Sequence, residues 1–126
     1  MDRMIYAGDW KVLEQLWKKS PQTLMELVRT LSREVGWSKS TVATMVRRME
    51  AKGLLRFEEG DKARKIYPAL TREEASASET KSLIDKVFRG KPGLLMASLI
   101  EQNRFSREEI DELYAMLKKA EDERHD

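Results

Sequence analysis

Apolar residues recur every three or four positions through most of this chain, and the interruptions of that rhythm mark out its elements. Trp10, Leu13, Leu16 and Trp17 share one face of a first helix, which Asp9 can cap and Pro21 stops. Thr23-Leu-Met-Glu26 is a capping box, in which the Thr hydroxyl accepts from the amide three residues on and the Glu reaches back. Leu24, Leu27, Val28, Leu31 and Val35 then follow at helical spacing until Gly36 closes the helix. Ser38 caps a third helix with Val42, Met45, Val46 and Met49 as its apolar face and Gly53 as its stop.

The period then changes. Leu54 to Glu59 and Arg64 to Tyr67 read as two short strands around the turn Gly60-Asp61, and Pro68 ends the second. Three short helices followed by a hairpin is the order of a winged helix. Helix returns at Thr71, with capping boxes at Thr71-Arg-Glu-Glu74 and Ser106-Arg-Glu-Glu109. Residues 72–82 hold almost no large apolar side chain and read as a solvated spacer. Leu83, Ile84, Val87 and Phe88 follow, then the break Gly90-Lys-Pro92-Gly93, a segment over 94–102 with Leu94, Leu95, Leu99 and Ile100, and a last helix striped by Ile110, Leu113, Tyr114 and Leu117.

Composition narrows the chemistry. Of 126 residues 40% are hydrophobic and 37% charged, a globular balance with much exposed helix. The net charge of +2 hides an asymmetry: residues 1–70 carry 14 Lys/Arg against 9 Asp/Glu, and residues 71–126 carry 10 against 13. A basic first half suits a polyanion. There is no cysteine, and the one histidine, His125, sits at the chain end, where a frayed tail is expected rather than a ligand. No cofactor, no metal site and no catalytic constellation is therefore expected. No apolar run reaches the ~20 residues that span a bilayer, and the first ten residues lack a signal-peptide plan. Membrane insertion is not expected, and a cytoplasmic location is.

On a cylinder turning about 100° per residue, the third helix sets Ser40, Thr41, Thr44, Arg47, Arg48 and Ala51 opposite its apolar arc. Short side chains let a backbone approach, hydroxyls bond phosphates or bases, and Arg grips guanine in a bidentate way. This face is either a major-groove reader or an ordinary solvated surface. The hairpin tip adds Lys62, Arg64 and Lys65, as a wing touching the DNA backbone or minor groove would, although charged tips also occur as plain solvated turns.

The run Ser38-x-x-Thr41-Val42-x-Thr44-x-x-x-Arg48-Met49-x-x-Lys52-Gly53-x-Leu55 resembles the recognition-helix signature of the penicillinase repressor family. Asp9-Trp10-x-Val12-Leu13-x-x-Leu16-Trp17 is similar to the family's first helix. Phe88-x-Gly90 and Ser106-x-Glu108-Glu109-Ile110-x-Glu112-Leu113 resemble its C-terminal segment. The chain departs from the pattern at Ser40, where a basic residue is common, and at the adjacent pair Tyr67-Pro68. It also lacks the C-terminal cysteines of the copper-responsive cousins. The resemblance implies a homodimeric repressor of palindromic double-stranded DNA operators, with Thr41, Thr44 and Arg48 facing the operator. On that footing Thr44 and Arg48 contact bases, while Arg47, Lys52, Lys62, Arg64 and Lys65 neutralise phosphates and Ser40 lies beside them. It also implies derepression through a membrane sensor-protease pathway that cuts the dimerisation segment.

The expected fold is thus mostly α with a small β-hairpin wing: a winged helix-turn-helix domain over 1–70 and a helical dimerisation domain over 71–126. Burying side chains such as those of the last stripe contributes about 1.5–3 kcal/mol each, so they should be covered by a second copy or within the chain. The candidate interface is Leu83, Ile84, Val87, Phe88, Leu95, Leu99, Ile110, Leu113, Tyr114 and Leu117. The rival reading is a winged helix that binds protein and not DNA. Single-stranded RNA recognition would need an aromatic stacking platform, whereas Trp10, Trp17 and Trp37 read as packing residues.

Overall fold

The computed structural model describes residues 4–124; His125 lies outside them. In chain order the elements are α1 (Ala7–Lys18), α2 (Leu24–Val35), α3 (Lys39–Ala51), β1 (Leu55–Glu58), β2 (Lys65–Pro68), α4 (Arg72–Val87), α5 (Pro92–Glu101) and α6 (Arg107–Glu123). They divide into two compact units, residues 1–79 and 80–126.

The first unit is a winged helix. Val12, Leu13 and Leu16 of α1, Leu27 and Leu31 of α2, and Val42 and Met49 of α3 are almost fully enclosed and form one core with Leu54, Leu55 and Ile66. The expected caps form. Glu26 N donates to Thr23 Oγ1 (3.2 Å) and Thr23 N to Glu26 Oε1 (2.8 Å), and Gly36 ends α2 in the left-handed region at φ 73°. Ser38 Oγ accepts from Thr41 N at the start of α3.

β1 and β2 pair antiparallel in the register Leu55↔Pro68, Arg56↔Tyr67, Phe57↔Ile66 and Glu58↔Lys65. Gly60 makes the tip possible, because a Cβ there would collide with the Ala63 carbonyl oxygen. Sequence periodicity missed a third partner. Gln22 exchanges both backbone hydrogen bonds with Ile66 (3.1 and 2.8 Å), so the segment between α1 and α2 edges the hairpin. The Gln22 side-chain amide meanwhile donates to Lys19 O, just past the end of α1, and adds a second bond to Gln15 O, which already accepts from Lys19 N.

Two local expectations are corrected. Asp9 does not cap α1 from outside, because the helix begins at Ala7 and Asp9 lies in its first turn, accepting from Tyr6 N at 2.9 Å. Residues 72–79 are not a detached spacer. Ala75 is completely buried, Trp17 Nε1 donates to Leu70 O (3.0 Å), Arg72 grips Glu14 with both terminal guanidinium nitrogens, and Trp10 Nε1 reaches Glu79 (3.4 Å). One methyl group and a few polar contacts dock this stretch, and neither raises an apolar signal in the sequence.

The second unit holds the rest of α4 with α5 and α6. Gly90 adopts φ 74° after α4, and Pro92 opens α5 at a position where its missing N–H is not needed. Ser106 and Glu109 form the expected box at the head of α6. Among the described residues none beyond Ala75 is fully buried, so this unit encloses no core of its own. Leu83, Val87, Ile100, Ile110, Tyr114, Met116 and Leu117 are exposed. Among the described residues no helix is long and apolar enough to cross a membrane.

Candidate nucleic-acid interface

Helix α3 presents the face its sequence outlines. With Val42, Val46 and Met49 packed inward, Ser40, Thr41, Thr44, Arg47, Arg48 and Ala51 all stand exposed. The N-terminus of α3 carries no carboxylate in its first turn, whereas α1, α2 and α4 each carry at least one. The positive end of its helix dipole is therefore uncompensated and favours an anion. Lys39, which sequence reasoning passed over, stands exposed at that same end.

Among the described residues no carboxylate lies within ion-pair distance of Lys39, Arg47, Arg48, Lys62 or Lys65. Five cations on α3 and the wing thus retain their charge for an external partner. Arg64 is differently placed: its guanidinium stacks on the Phe57 ring (3.9 Å) and pairs with Glu50, the one carboxylate of α3, at 3.3 Å. A cavity of about 500 Å3 lies between α3 and the wing, lined by Leu24, Met25, Val46, Phe57 and Ile66 among others.

Lys52 does not face outward with the others. Its ammonium donates to Asp9 Oδ2 (2.6 Å) and Met4 O (2.9 Å) and lies 4.5 Å from the centre of the Tyr6 ring. Asp9 is 2% exposed. The sequence placed Lys52 among the phosphate contacts because its number follows the basic face; one residue past the end of α3, its side chain turns back onto α1. Only an Asp–Lys pairing across 43 residues would have revealed this, and spacing carries no such signal. Among the described residues no group of three or more His, Asp or Glu side chains is placed to hold a metal.

The penicillinase repressor family profile matches residues 7–119, nearly the whole chain. The chain belongs to the penicillinase repressor family. That family consists of DNA-binding transcriptional repressors of winged-helix build, the fold described above. Among its relatives, the methicillin resistance regulatory protein MecI of Staphylococcus aureus strain N315 is 25% identical over 122 residues, spanning 94% of this chain and 99% of MecI. The penicillinase repressor of Bacillus licheniformis is 26% identical over 113 residues, spanning 90% of this chain and 88% of that protein. The DNA-binding domain of the repressor BlaI superposes with a TM-score of 0.53 at 25% identity, over 57% of this chain and 88% of that one. Bacillus licheniformis BlaI in its monomeric form, in complex with the blaP half-operator, gives 0.52 over 56% and 87% at the same identity.

Proposed function

We propose that this family member represses transcription as a homodimer, with each copy laying α3 in the major groove of one half of a palindromic operator. Thr44 and Arg48 read base edges. Ser40, Thr41, Arg47, Lys62 and Lys65 hold phosphates, and Lys39 joins them at the head of the helix. Arg64 contributes once a phosphate displaces Glu50. The observation that carries this reading is the set of cations on α3 and the wing that no carboxylate among the described residues neutralises. That monomeric BlaI is found in complex with the blaP half-operator supports the DNA-binding part of this reading.

Residues 1–70 supply the DNA-binding domain and residues 71–126 the dimerisation domain, with the start of α4 docked on the former. The pairing of two copies is supported by the absence of any buried side chain beyond Ala75 among the described residues. Ile84, Phe88, Leu95, Leu99 and Leu113 are half-buried, and Leu83, Val87, Ile110, Tyr114 and Leu117 more open still. A two-fold axis would set two α3 helices about 34 Å apart, one DNA turn. Cutting the dimerisation segment by a sensor-linked protease would derepress the promoter, since separated half-site binders lose an effective concentration of order millimolar.

Selection of bound sequences from random duplexes, followed by titration of the selected and a scrambled duplex at three salt concentrations, tests the reading. Arg48→Ala should cost about 1–3 kcal/mol per half-site and relax preference at one base pair. Lys62→Ala should weaken both duplexes alike and lower the salt slope by about 0.9. Salt-independent affinity that neither substitution changes would overturn the assignment in favour of a protein-binding winged helix.

A further inference from the structure

Lys52 is the residue of the basic signature that the DNA-contact surface does not use, and its surroundings give it another task. Three observations meet at the first turn of α1. The Lys52 ammonium, on the residue that follows α3, is held by the enclosed carboxylate of Asp9, the Met4 carbonyl and the Tyr6 ring. The Asp9 carboxylate is fixed in turn by Tyr6 N, and Ile5 beside it is buried in the core. About two turns back along α3, Met45 lies so close to Gly8 that a Cβ on Gly8 would stand 2.9 Å from its terminal methyl, with the Trp37 ring at 3.5 Å. The chain from Met4 to Asp9 therefore touches the loop before α3, the middle of α3 and the residue that ends it.

We infer that residues 4–9 form a bracket that sets the height and tilt of α3, and that Lys52, Asp9 and Gly8 are positioning residues for operator recognition although none of them touches DNA. The inference rests on the DNA-binding reading of α3. The physical reason lies in the difference between the two kinds of contact. Phosphate contacts tolerate small displacements because a flexible Lys or Arg follows the charge. Base contacts need the helix within hydrogen-bond reach of a particular edge. A helix released at its C-terminal end keeps its cations and loses its register. Asp9 and Lys52 are also committed to each other by burial: removing either leaves the other's charge without its partner in a largely dry site.

The experiment uses the full chain, a duplex selected from a random pool and a scrambled duplex of equal length. Lys52→Met and Gly8→Ala are compared with the parent by circular dichroism, thermal midpoint and titration over a range of salt. The expected result is a tenfold or greater loss on the selected duplex. Affinity for the scrambled duplex should stay within about twofold, with its salt slope unchanged. A fold-stabilising role alone would lower the midpoint and leave the selected-to-scrambled ratio of the folded protein intact, and that result overturns the inference. A slope reduced by about 0.9 with the ratio preserved also overturns it, because Lys52 would then be a phosphate ligand. If Lys52→Met does not fold, Gly8→Ala decides: an unchanged ratio refutes the bracket and a collapsed one supports it. A parent protein that binds both duplexes equally would refute the DNA-reading assignment itself, and with it the bracket.

Discussion

Replacing Leu117 by Asp probes the coverage of α6. Leu117 is 64% exposed, and its neighbours on the stripe, Ile110 and Tyr114, are 39% and 71% exposed. Full burial of such a side chain contributes about 1.5–3 kcal/mol, so the open share of Leu117 accounts for about 1–2 kcal/mol per protomer. A two-fold interface contains the residue twice, which gives about 2–4 kcal/mol, or a dimer dissociation constant raised roughly 30- to 700-fold. The introduced carboxylate adds a desolvation penalty, so this range is a lower bound. Sedimentation equilibrium from nanomolar to tens of micromolar would read it, with the winged-helix unit still folded by circular dichroism. A parent protein that sediments only as monomer at micromolar concentration would refute the reasoning. So would a variant that dissociates at the parent's concentration.

Two further outcomes follow from the first unit. The Thr23 backbone amide, foremost, and its hydroxyl hold the Glu26 carboxyl below its ordinary value of 4.5, and the hydrogen bond from Arg72 does the same for Glu14. Both groups are depressed in the folded state, so their stabilisation is complete above about pH 4.5 and is lost as pH falls through the lowered folded values. Urea midpoints should therefore drop below pH 4.5 less steeply in Glu26→Gln than in the parent, and identical pH slopes would count against the capping box. A fragment of residues 1–79 should unfold at a higher temperature than one of residues 1–69, which lacks Leu70, the Arg72–Glu14 pair and buried Ala75. The difference should be about 2 kcal/mol, and coincident melting curves would mean that the start of α4 does not dock.

What could be read from the sequence is what a few consecutive residues encode. The boxes at Thr23, Thr71 and Ser106 close within one turn, and all three form. The outer face of α3 is a matter of helical angle alone, and its small and basic residues stand where the 100° step puts them. The presence of the hairpin likewise follows from its two short strands around a glycine turn, whereas its register, with Pro68 paired to Leu55 and Glu58 to Lys65, was not read from the sequence. The features that stayed hidden join distant segments: Lys52 with Asp9, Arg64 with Glu50, Trp10 with Glu79. A charged residue looks the same in sequence whether it faces water, a phosphate or a carboxylate forty residues away. The open stripe on α6 was legible, since four apolar residues at helical spacing need a cover wherever it comes from.

Gln22 has a consequence for how the wing comes apart. A two-stranded hairpin on its own is marginal in water. Here the same residue supplies the backbone partner of Ile66 and a side-chain amide that bonds Lys19 O and Gln15 O at the end of α1. Pulling Gln22 away with the base of the hairpin would also withdraw the amide that caps Lys19 O, so the hairpin base is tied to the segment that follows α1. The hairpin base should then open with the helical core, at a free energy close to that of global unfolding, while the tip around Asp61 to Ala63 opens separately and at little cost. Substitutions at the tip can change what the protein grips without loosening what holds it together.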